Sequence, residues 1–588
     1  MQGPDELSTA EGAPPWPPFL AALLPPVVLA LLVAAVWVPI ARHAFVLWDD
    51  HSFIFANADL RPPTLHRLGQ YWHSAPGEIF VPLTHSVWTA VAAVAYRGPA
   101  ADGPGVLDPM PFHVASIAGH ALAALAAMSI LRRLGGSAWA ALAGAMLWAL
   151  HPLQVETVAW ASALKDVLAG LLSLVAIRLY LAHLDAQREH RHQSAMAYYV
   201  WATLVFVLAT LAKPTAVVLP AVAFVLAWLW TRRPALAALR GVVPWIVVAI
   251  PATVLALENQ PALGVPDVPW IARPVVALDA IAFYMVKLVA PTPLAIDYGR
   301  TPAQLLSGWQ AYVTWLLPVV LGVACWRLRG RIAWPIVALA LFIIPLAPVL
   351  GFVPFSFQRY STVADHYVYL SLLGPALAVA MVTARWPRTA GAACAVGIVA
   401  MSVLTRMQTR HWLDTGALMQ RAMDVNPQNP VAREYLAIGA LRRGDWAAAD
   451  EHLRLAIRSG DVRWLLIRGE ALVALGRLDE ARQSFEAWRH RPDYAGIARG
   501  PDPPRLLEYL RALDPGPGAT TRRAELAQRR PWTAEMLWID AQTRMALGDH
   551  DGAMASYRAA LRDDPDDPTI QESLARARRL GATTQRSG

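Results

Sequence analysis

Hydrophobic residues fill long uninterrupted runs across the first two-thirds of the 588-residue chain. Each run ends in charge, proline or glycine after about 17–22 residues, the length that a helix needs to cross a bilayer. A further, shorter apolar stretch at 274–289 carries Asp279 and Lys287, so we expect a re-entrant or interfacial helix there. The pattern predicts an all-α, polytopic membrane protein. The predicted spans, eleven in number, begin near Pro18, His113, Ser137, Val167, Ala197, Pro214, Val242, Tyr312, Ile332, Tyr367 and Gly391.

A different pattern begins after about Thr405, where the chain becomes charged, alanine-rich and helical. Gly444, Gly476 and Gly548 are each followed five positions later by alanine and nine positions later by leucine, phenylalanine or tyrosine. This spacing and period are typical of tetratricopeptide helical hairpins. We expect an opening half-repeat at 418–427 and a degenerate middle repeat around 501–518. A generic alanine-rich bundle would not keep both the turn glycine and the period.

Composition narrows the class of protein. Hydrophobic residues make up 56 % of the chain and charged residues 16 %, against about 25 % charged in soluble domains. Disorder is excluded over the first two-thirds because that stretch is apolar. A disulfide scaffold is also excluded, because the two cysteines, Cys325 and Cys394, both lie in apolar runs. The net charge of +8 does not indicate nucleic acid, because the arginines flank apolar segments and form no single patch.

Arginine in the short loops predicts the topology. Five arginine clusters follow the second, fourth, sixth, eighth and tenth spans. All five lie on one side of the membrane if the stretch 274–289 does not cross it. We interpret that face as cytoplasmic. The predicted domains are a cytoplasmic tail (1–17), a transmembrane domain (18–406) with a first outer loop at 42–112, an extracytoplasmic repeat domain (407–580) and a disordered tail (581–588).

Candidate chemistry begins at Trp48-Asp49-Asp50-His51, directly after the first span. Charged groups within the apolar layer are costly, and a carboxylate at the membrane boundary can act as a general base toward a hydroxyl group. A solvated end of the span, with Trp48 in the aromatic belt, fits the same residues. The residue types alone leave both interpretations open.

Lysine is scarce, and its three occurrences, Lys165, Lys213 and Lys287, all lie in predicted outer segments. Lys213 precedes a proline at the outer end of the fifth span. It fits either an interface anchor, the commoner role, or a point charge for a lipid-borne phosphate.

Two other outer segments are rich in polar residues. One runs from His151 to Glu156 and on to Lys165-Asp166, where the polar groups also fit the simple role of satisfying open helix ends. The other precedes the tenth span and contains Arg359 and Ala364-Asp365-His366-Tyr367. Arginine there is either a belt residue or a partner for a phosphate leaving group.

The combination and order of these motifs resemble those of the bacterial relatives of the transmembrane-and-tetratricopeptide-repeat (TMTC) proteins. Those proteins belong to the GT-C class of polyprenyl-phosphate-sugar-dependent glycosyltransferases, alongside protein O-mannosyltransferases. The resemblance covers nearly the whole chain. The motifs that carry it are Trp48–His51, Pro82-Leu83-Thr84, Phe112-His113 with His120, His151–Glu156, Lys165-Asp166, Lys213-Pro214 and Ala364–Leu370.

The resemblance implies a role for each matching residue. Asp49 corresponds to the catalytic base and Asp50 to its acidic partner. Lys213 corresponds to a lysine for the donor phosphate. The residues implied to line the pocket are Trp48, His151, Glu156, Lys165, Asp166, Asp365 and Tyr367. His366 stands where arginine is common and supplies less charge when neutral, so Arg359 or Arg300 is expected to compensate.

On this interpretation a sugar passes from a polyprenyl phosphate in the outer leaflet to a hydroxyl group, with inversion. Mg²⁺ or Mn²⁺ at the acidic pair is possible but not required. The repeat domain, on the periplasmic side of the bacterial inner membrane, is expected to recruit a protein or peptide acceptor or partner. The alternatives are a non-catalytic, membrane-anchored scaffold and, less consistent with polar residues at span ends, a transporter.

Overall fold

A computed structural model describes residues 18–55, 57, 59–73, 80–98, 106–135, 137–258, 268–457 and 464–489. In the C-terminal part it describes 537, 541, 550–563, 565, 570–571, 573–575 and 577. The predicted tails at 1–17 and 581–588 and the degenerate repeat at 501–518 lie outside these residues. The described residues form helices and no strand, which confirms the all-α prediction.

The chain divides into two compact units. The first contains Met1–Phe45 and Asp59–Leu413, and the second contains Val46–Ala58 and Asp414–Gly588. The acidic pair and Trp48 therefore belong to the second unit, and the other predicted site residues belong to the first.

The first unit is a bundle of apolar helices. Its α-helices are Pro18–Trp37, Leu65–Gln70, Pro82–Ala95, Pro109–Gly135, Ala138–Leu150, Val155–Ala159, Leu164–Arg188, His192–Ala212, Leu219–Val225, Ala235–Glu258, Arg273–Val289, Pro302–Ser307, Gln310–Val313, Leu316–Leu328, Trp334–Ile343, Leu373–Arg385 and Thr389–Thr409. Short 3₁₀ segments join several of them, including Pro152–Gln154, Ala161–Ala163, Pro214–Val218, Ile344–Val349 and Asp365–Val368.

Among the described residues, 7 helices are long and apolar enough to cross a membrane, and the bent pair Ala138–Leu150 and Pro152–Ala159 makes up to 8. The other three predicted spans are shorter apolar helices, Pro214–Trp230, Trp334–Val349 and Leu373–Arg385. Each predicted span thus has an apolar helix at its position. Arg273–Val289 belongs to neither group, and that it does not cross the membrane stays a prediction.

Proline ends two of these helices where candidate site residues lie. A residue before proline is sterically confined to extended backbone. His151 (ψ 136°) accordingly ends the Ala138–Leu150 helix before Pro152, and Lys213 (ψ 127°) ends the His192–Ala212 helix before Pro214. The sequence therefore ends helices at two of the candidate site residues.

Three of the five arginine clusters meet at one end of the bundle. Arg133 forms an ion pair with Asp185, Arg188 donates to the Thr231 carbonyl at 3.1 Å, and Arg233 donates to Gln187 at 2.6 Å. Asp185 and Asp166 lie near opposite ends of the Leu164–Arg188 helix, which is about 37 Å long. The clusters after three spans therefore share a face, remote from Asp166.

The described helices of the second unit after residue 414 are Thr415–Val425, Pro430–Arg442, Trp446–Ile457, Trp464–Ala474, Leu478–Arg489 and His550–Asp563. Consecutive helices pack as hairpins. Gly444 and Gly476 turn the chain with φ of 73° and 72°. The residues five and nine positions after each repeat glycine are all buried, namely Ala449, Leu453, Ala481, Phe485, Ala553 and Tyr557.

Candidate active site

A cleft in the first unit lies where the Leu164–Arg188 helix begins and the His192–Ala212 helix ends. We call it the outer cleft, because these helix ends are the ones predicted to be extracytoplasmic. It is partly open to its surroundings, and its cavity volume is about 50 Å³. Its polar lining consists of Asp166, Ser173, Lys213, Thr215, His366, Tyr367 and Tyr369. The rest of the lining is apolar, contributed by Ala169, Gly170, Ala216, Val218, Pro345, Val349 and Leu370. The cleft therefore offers one charged end and a hydrocarbon wall.

An ion pair between Lys213 and Asp166 forms the charged end. Asp166 is in the first turn of its helix, where a carboxylate is favoured by the helix dipole. The Thr84 hydroxyl donates to the Ala212 carbonyl at 2.8 Å and ties the outer helix Pro82–Ala95 to the residue before Lys213. Lys213 is thus held in place by its backbone and by its side-chain partner.

Glu156 connects two distant parts of the sequence beside this cleft. One oxygen lies 2.5 Å from Nδ1 of His366, and the other accepts the backbone N–H of Asp365 at 3.2 Å. The Tyr298 hydroxyl donates to Asp365 at 2.7 Å. Burial, reinforced by Lys213 and Lys165 and opposed by Asp166, lowers the pKa of His366 to about 3. His366 is therefore neutral near pH 7 and brings a hydrogen-bonding group, not a charge.

Lys165 and His151 support the outer turn. The Lys165 ammonium donates to the Ser162 carbonyl at 3.0 Å and lies 4.8 Å from the centre of the Trp160 ring. The His151 ring accepts the Leu153 N–H at 3.2 Å and contacts the Leu288 carbonyl at 3.2 Å. These contacts give His151 a structural task at the helix break.

Two of the predicted phosphate ligands lie elsewhere. Arg300 donates to the buried Asp279 at 2.5 Å, and the exposed Arg359 stacks over Tyr360 at 4.6 Å. Neither lines the outer cleft. Of the four basic candidates, the structure therefore brings Lys213 and His366 together in the cleft.

The acidic pair lies in the second unit, and its two members differ. Asp50 is fully buried, and its carboxylate accepts the Val46 N–H at 3.1 Å. Asp49 is half-buried. The adjacent Leu47 N–H donates to the Thr415 hydroxyl at 2.9 Å. Trp48 is likewise half-buried in this turn.

The structure adds contacts that the sequence could not show, made by Tyr284, Trp148 and the motif residues His120 and Tyr369. The Tyr369 hydroxyl is 3.0 Å from Nδ1 of His120, and the Trp148 indole donates to the Tyr369 carbonyl at 3.1 Å. The Tyr284 hydroxyl bridges the N–H and the carbonyl of Ala364, both at 3.0 Å. Gly170, which lies within an apolar helix, was the sequence signal for the Tyr369 contact. A glycine has no side chain and therefore leaves room for the Tyr369 ring.

Two known proteins resemble part of this chain. Cellulose synthase 2 operon protein C of Komagataeibacter xylinus is 29 % identical over a segment that covers 29 % of this chain and 17 % of that protein. Protein O-mannosyl-transferase Tmtc2 of Drosophila melanogaster is 30 % identical over 24 % of this chain and 15 % of that protein. No family model matches. The chain thus spans less than a fifth of either relative, and the expected resemblance to TMTC proteins is confirmed as a distant, partial one.

Proposed function

We propose that the chain is a membrane glycosyltransferase that moves a sugar from a polyprenyl-phosphate donor to a hydroxyl group of a protein or surface polymer. The observation that carries the proposal is the outer cleft, whose charged end and hydrocarbon wall suit a phosphate with a lipid tail. The similarity to a protein named as an O-mannosyl-transferase supports a transferase. The GT-C assignment and the donor belong to the proposal.

Lys213 is the proposed ligand of the donor phosphate. Its ammonium lies in a partly buried cleft, where a charge interacts with an anion more strongly than in water. Cationic groups placed where charge develops on a leaving group are a large source of rate enhancement. Asp166 holds the ammonium in the cleft until the phosphate arrives, and neutral His366 adds a hydrogen-bonding group.

Asp49 is the proposed base. It takes the proton of the acceptor hydroxyl as the oxygen attacks the anomeric carbon. The bond from that carbon to the phosphate oxygen breaks, and the polyprenyl phosphate leaves with the electron pair. One displacement of this kind inverts the anomeric centre. Buried Asp50, bound to the Val46 N–H, is the acidic partner that shapes the turn.

The mechanism as proposed has no step that needs a divalent metal. Among the described residues, no group of three or more His, Cys, Asp or Glu side chains is placed to hold a metal ion. Mg²⁺ is usually held by one or two carboxylates together with substrate phosphate oxygens, so Mg²⁺ or Mn²⁺ at the acidic pair stays a prediction. In the proposed mechanism the charge of the phosphate is met by Lys213.

The proposal is tested with the full chain in lipid nanodiscs and short-chain polyprenyl-phosphate mannose or glucose, radiolabelled in the sugar. Release of labelled sugar to water or to added membrane protein is measured. Lys213→Met and Asp49→Asn are expected to lower turnover by about 10²-fold or more. Arg97→Met removes an exposed cation paired with Asp108 and is the matched control, expected to leave turnover unchanged. Equal turnover in all three variants would contradict the proposal.

A membrane-anchored scaffold is the second candidate, favoured by the helical hairpins of the second unit, since such arrays commonly bind partner chains. The Asp49→Asn, Asp50→Asn double variant separates the two functions in cells. Loss of a glycan product from a correctly inserted variant supports the enzyme. An unchanged glycan profile and phenotype support the scaffold. For either function we propose the bacterial inner membrane, with the repeats on the periplasmic side.

A further inference from the structure

The turn that carries the acidic pair belongs to the same compact unit as the repeat helices. It is separated from them by more than 360 residues of sequence, since Leu47 and Thr415 are 368 positions apart. Within the turn, Val46 and Ile54 are buried. The segment 46–58 is therefore packed as part of the second unit.

Two consecutive backbone N–H groups fix this turn. The Val46 N–H donates to Asp50 at 3.1 Å, which closes the turn on itself. The next one, from Leu47, donates to the Thr415 hydroxyl at 2.9 Å. Asp49 follows Leu47 by two residues, so its backbone position depends on where Thr415 lies.

Thr415 is well suited to hold its position. It is the first residue of the Thr415–Val425 helix, and Asp414 caps that helix by accepting the Ala417 N–H at 2.9 Å. Leu418, Met419 and Ala422 of the same helix are buried, and the helix packs against Pro430–Arg442, the next helix of the array. The hydroxyl that receives the Leu47 N–H is therefore mounted on a capped, packed helix.

We infer that Thr415 is a positioning residue that ties the acidic-pair turn to the first helix of the repeat region. This inference rests on the proposed function of Asp49. It gives the repeat region a second task besides partner recruitment, because a displacement of the first repeat helix also displaces the proposed base. A protein or peptide bound to the array would in this way alter turnover as well as acceptor supply.

The test uses the full chain in nanodiscs with Thr415→Val, which keeps the shape and removes the acceptor, and Thr415→Ser, which keeps the acceptor. Hydrogen exchange of the Leu47 amide is measured first. Loss of one hydrogen bond is expected to speed its exchange roughly 2- to 10-fold in Thr415→Val. Thr415→Ser is expected to exchange like the parent, and amides of the Leu478–Arg489 helix are expected to be unchanged in both variants.

The second readout is turnover of short-chain polyprenyl-phosphate sugar. Thr415→Val is expected to lower kcat with the donor KM unchanged, and Thr415→Ser to restore kcat. Unchanged Leu47 exchange in Thr415→Val would overturn the contact itself. Faster exchange with an unchanged kcat would overturn the positioning role. If the parent turns over no donor while Lys213→Met behaves identically, the proposed function fails, and the exchange result still decides the contact.

Discussion

Asp49 and Asp50 are neighbours in the chain but have different surroundings. Asp50 is fully buried and accepts a backbone N–H, whereas Asp49 is half-buried. The family resemblance implied different roles for the two residues, but the residue types alone could not show their different burial, because burial depends on residues hundreds of positions away. The difference supports the proposed division, in which Asp49 takes the proton and Asp50 shapes the turn.

This division predicts unequal effects of the same substitution. Asp50→Asn keeps an oxygen that can accept the Val46 N–H, so we expect a modest loss of turnover. Asp49→Asn removes the base, with an expected loss of about 10²-fold or more. Donor turnover by the two single variants is the measurement. A larger loss in Asp50→Asn would reverse the assignment.

His366 predicts a pH dependence of stability. Burial lowers its pKa from 6.5 to about 3, so below about pH 6.5 the unfolded chain binds a proton that the folded protein excludes. Stability is therefore lost as the pH falls. His366→Gln removes this contribution, and its melting temperature is expected to fall less than that of the parent between about pH 7 and pH 4.5.

His85 provides the internal comparison for this measurement. Its pKa is lowered to about 4, mainly by burial, and it remains in both proteins. Part of the acid sensitivity should therefore survive in His366→Gln. An identical fall of the melting temperature in the two proteins would show that His366 titrates normally in the fold.

At the level of helices and turns, long apolar runs predicted the spans because a lipid-facing helix must be apolar along its whole length. The side-chain partners could not be predicted in the same way. Arg300 was expected near the donor phosphate. In the fold it donates to the carboxylate of Asp279 instead. Tyr298 and Asp365, 67 positions apart, meet only because the outer segments fold onto one another. No local pattern encodes such pairs.

Helix packing at Gly170 gives a further prediction. A Cβ at Gly170 would lie 2.4 Å from the Tyr369 ring, so Gly170→Ala is expected to cost about 1–3 kcal/mol of stability and to loosen the Tyr369–His120 contact. Gly397→Ala is the matched control, since a Cβ there meets nothing within 4 Å. It is expected to be neutral or slightly stabilising. The melting temperatures of the two variants are compared in detergent. A lower melting temperature for Gly397→Ala than for Gly170→Ala would contradict this packing.

The repeat turns provide a prediction for the second unit. Gly476 has φ 72° and a Cβ there would contact nothing within 4 Å, so strain and not collision opposes a side chain. Gly476→Ala is expected to cost about 1–2 kcal/mol, and Gly476→Asn less, because asparagine tolerates this conformation. Chemical unfolding followed by circular dichroism compares the two. Equal losses would argue against the left-handed turn.

For the whole molecule, composition and arginine placement predicted a membrane bundle followed by a helical repeat region, and the structure has both. The boundary between the two compact units was harder to predict. The segment Val46–Ala58 belongs to the second unit although it lies between two parts of the first. A sequence read in order assigns it to an outer loop, because nothing in its composition indicates a partner that begins at residue 414.

The proposed function depends above all on the binding of a lipid phosphate by Lys213 in the outer cleft. The most direct measurement is photo-crosslinking of the full chain in nanodiscs by a polyprenyl phosphate with a diazirine in its first isoprene unit, followed by peptide mapping. Adducts are expected on Pro214–Val218 and Ile344–Val349, which contribute to the cleft wall. They should disappear in Lys213→Met and persist in Arg97→Met. Adducts that map elsewhere, or that survive Lys213→Met undiminished, would contradict the account.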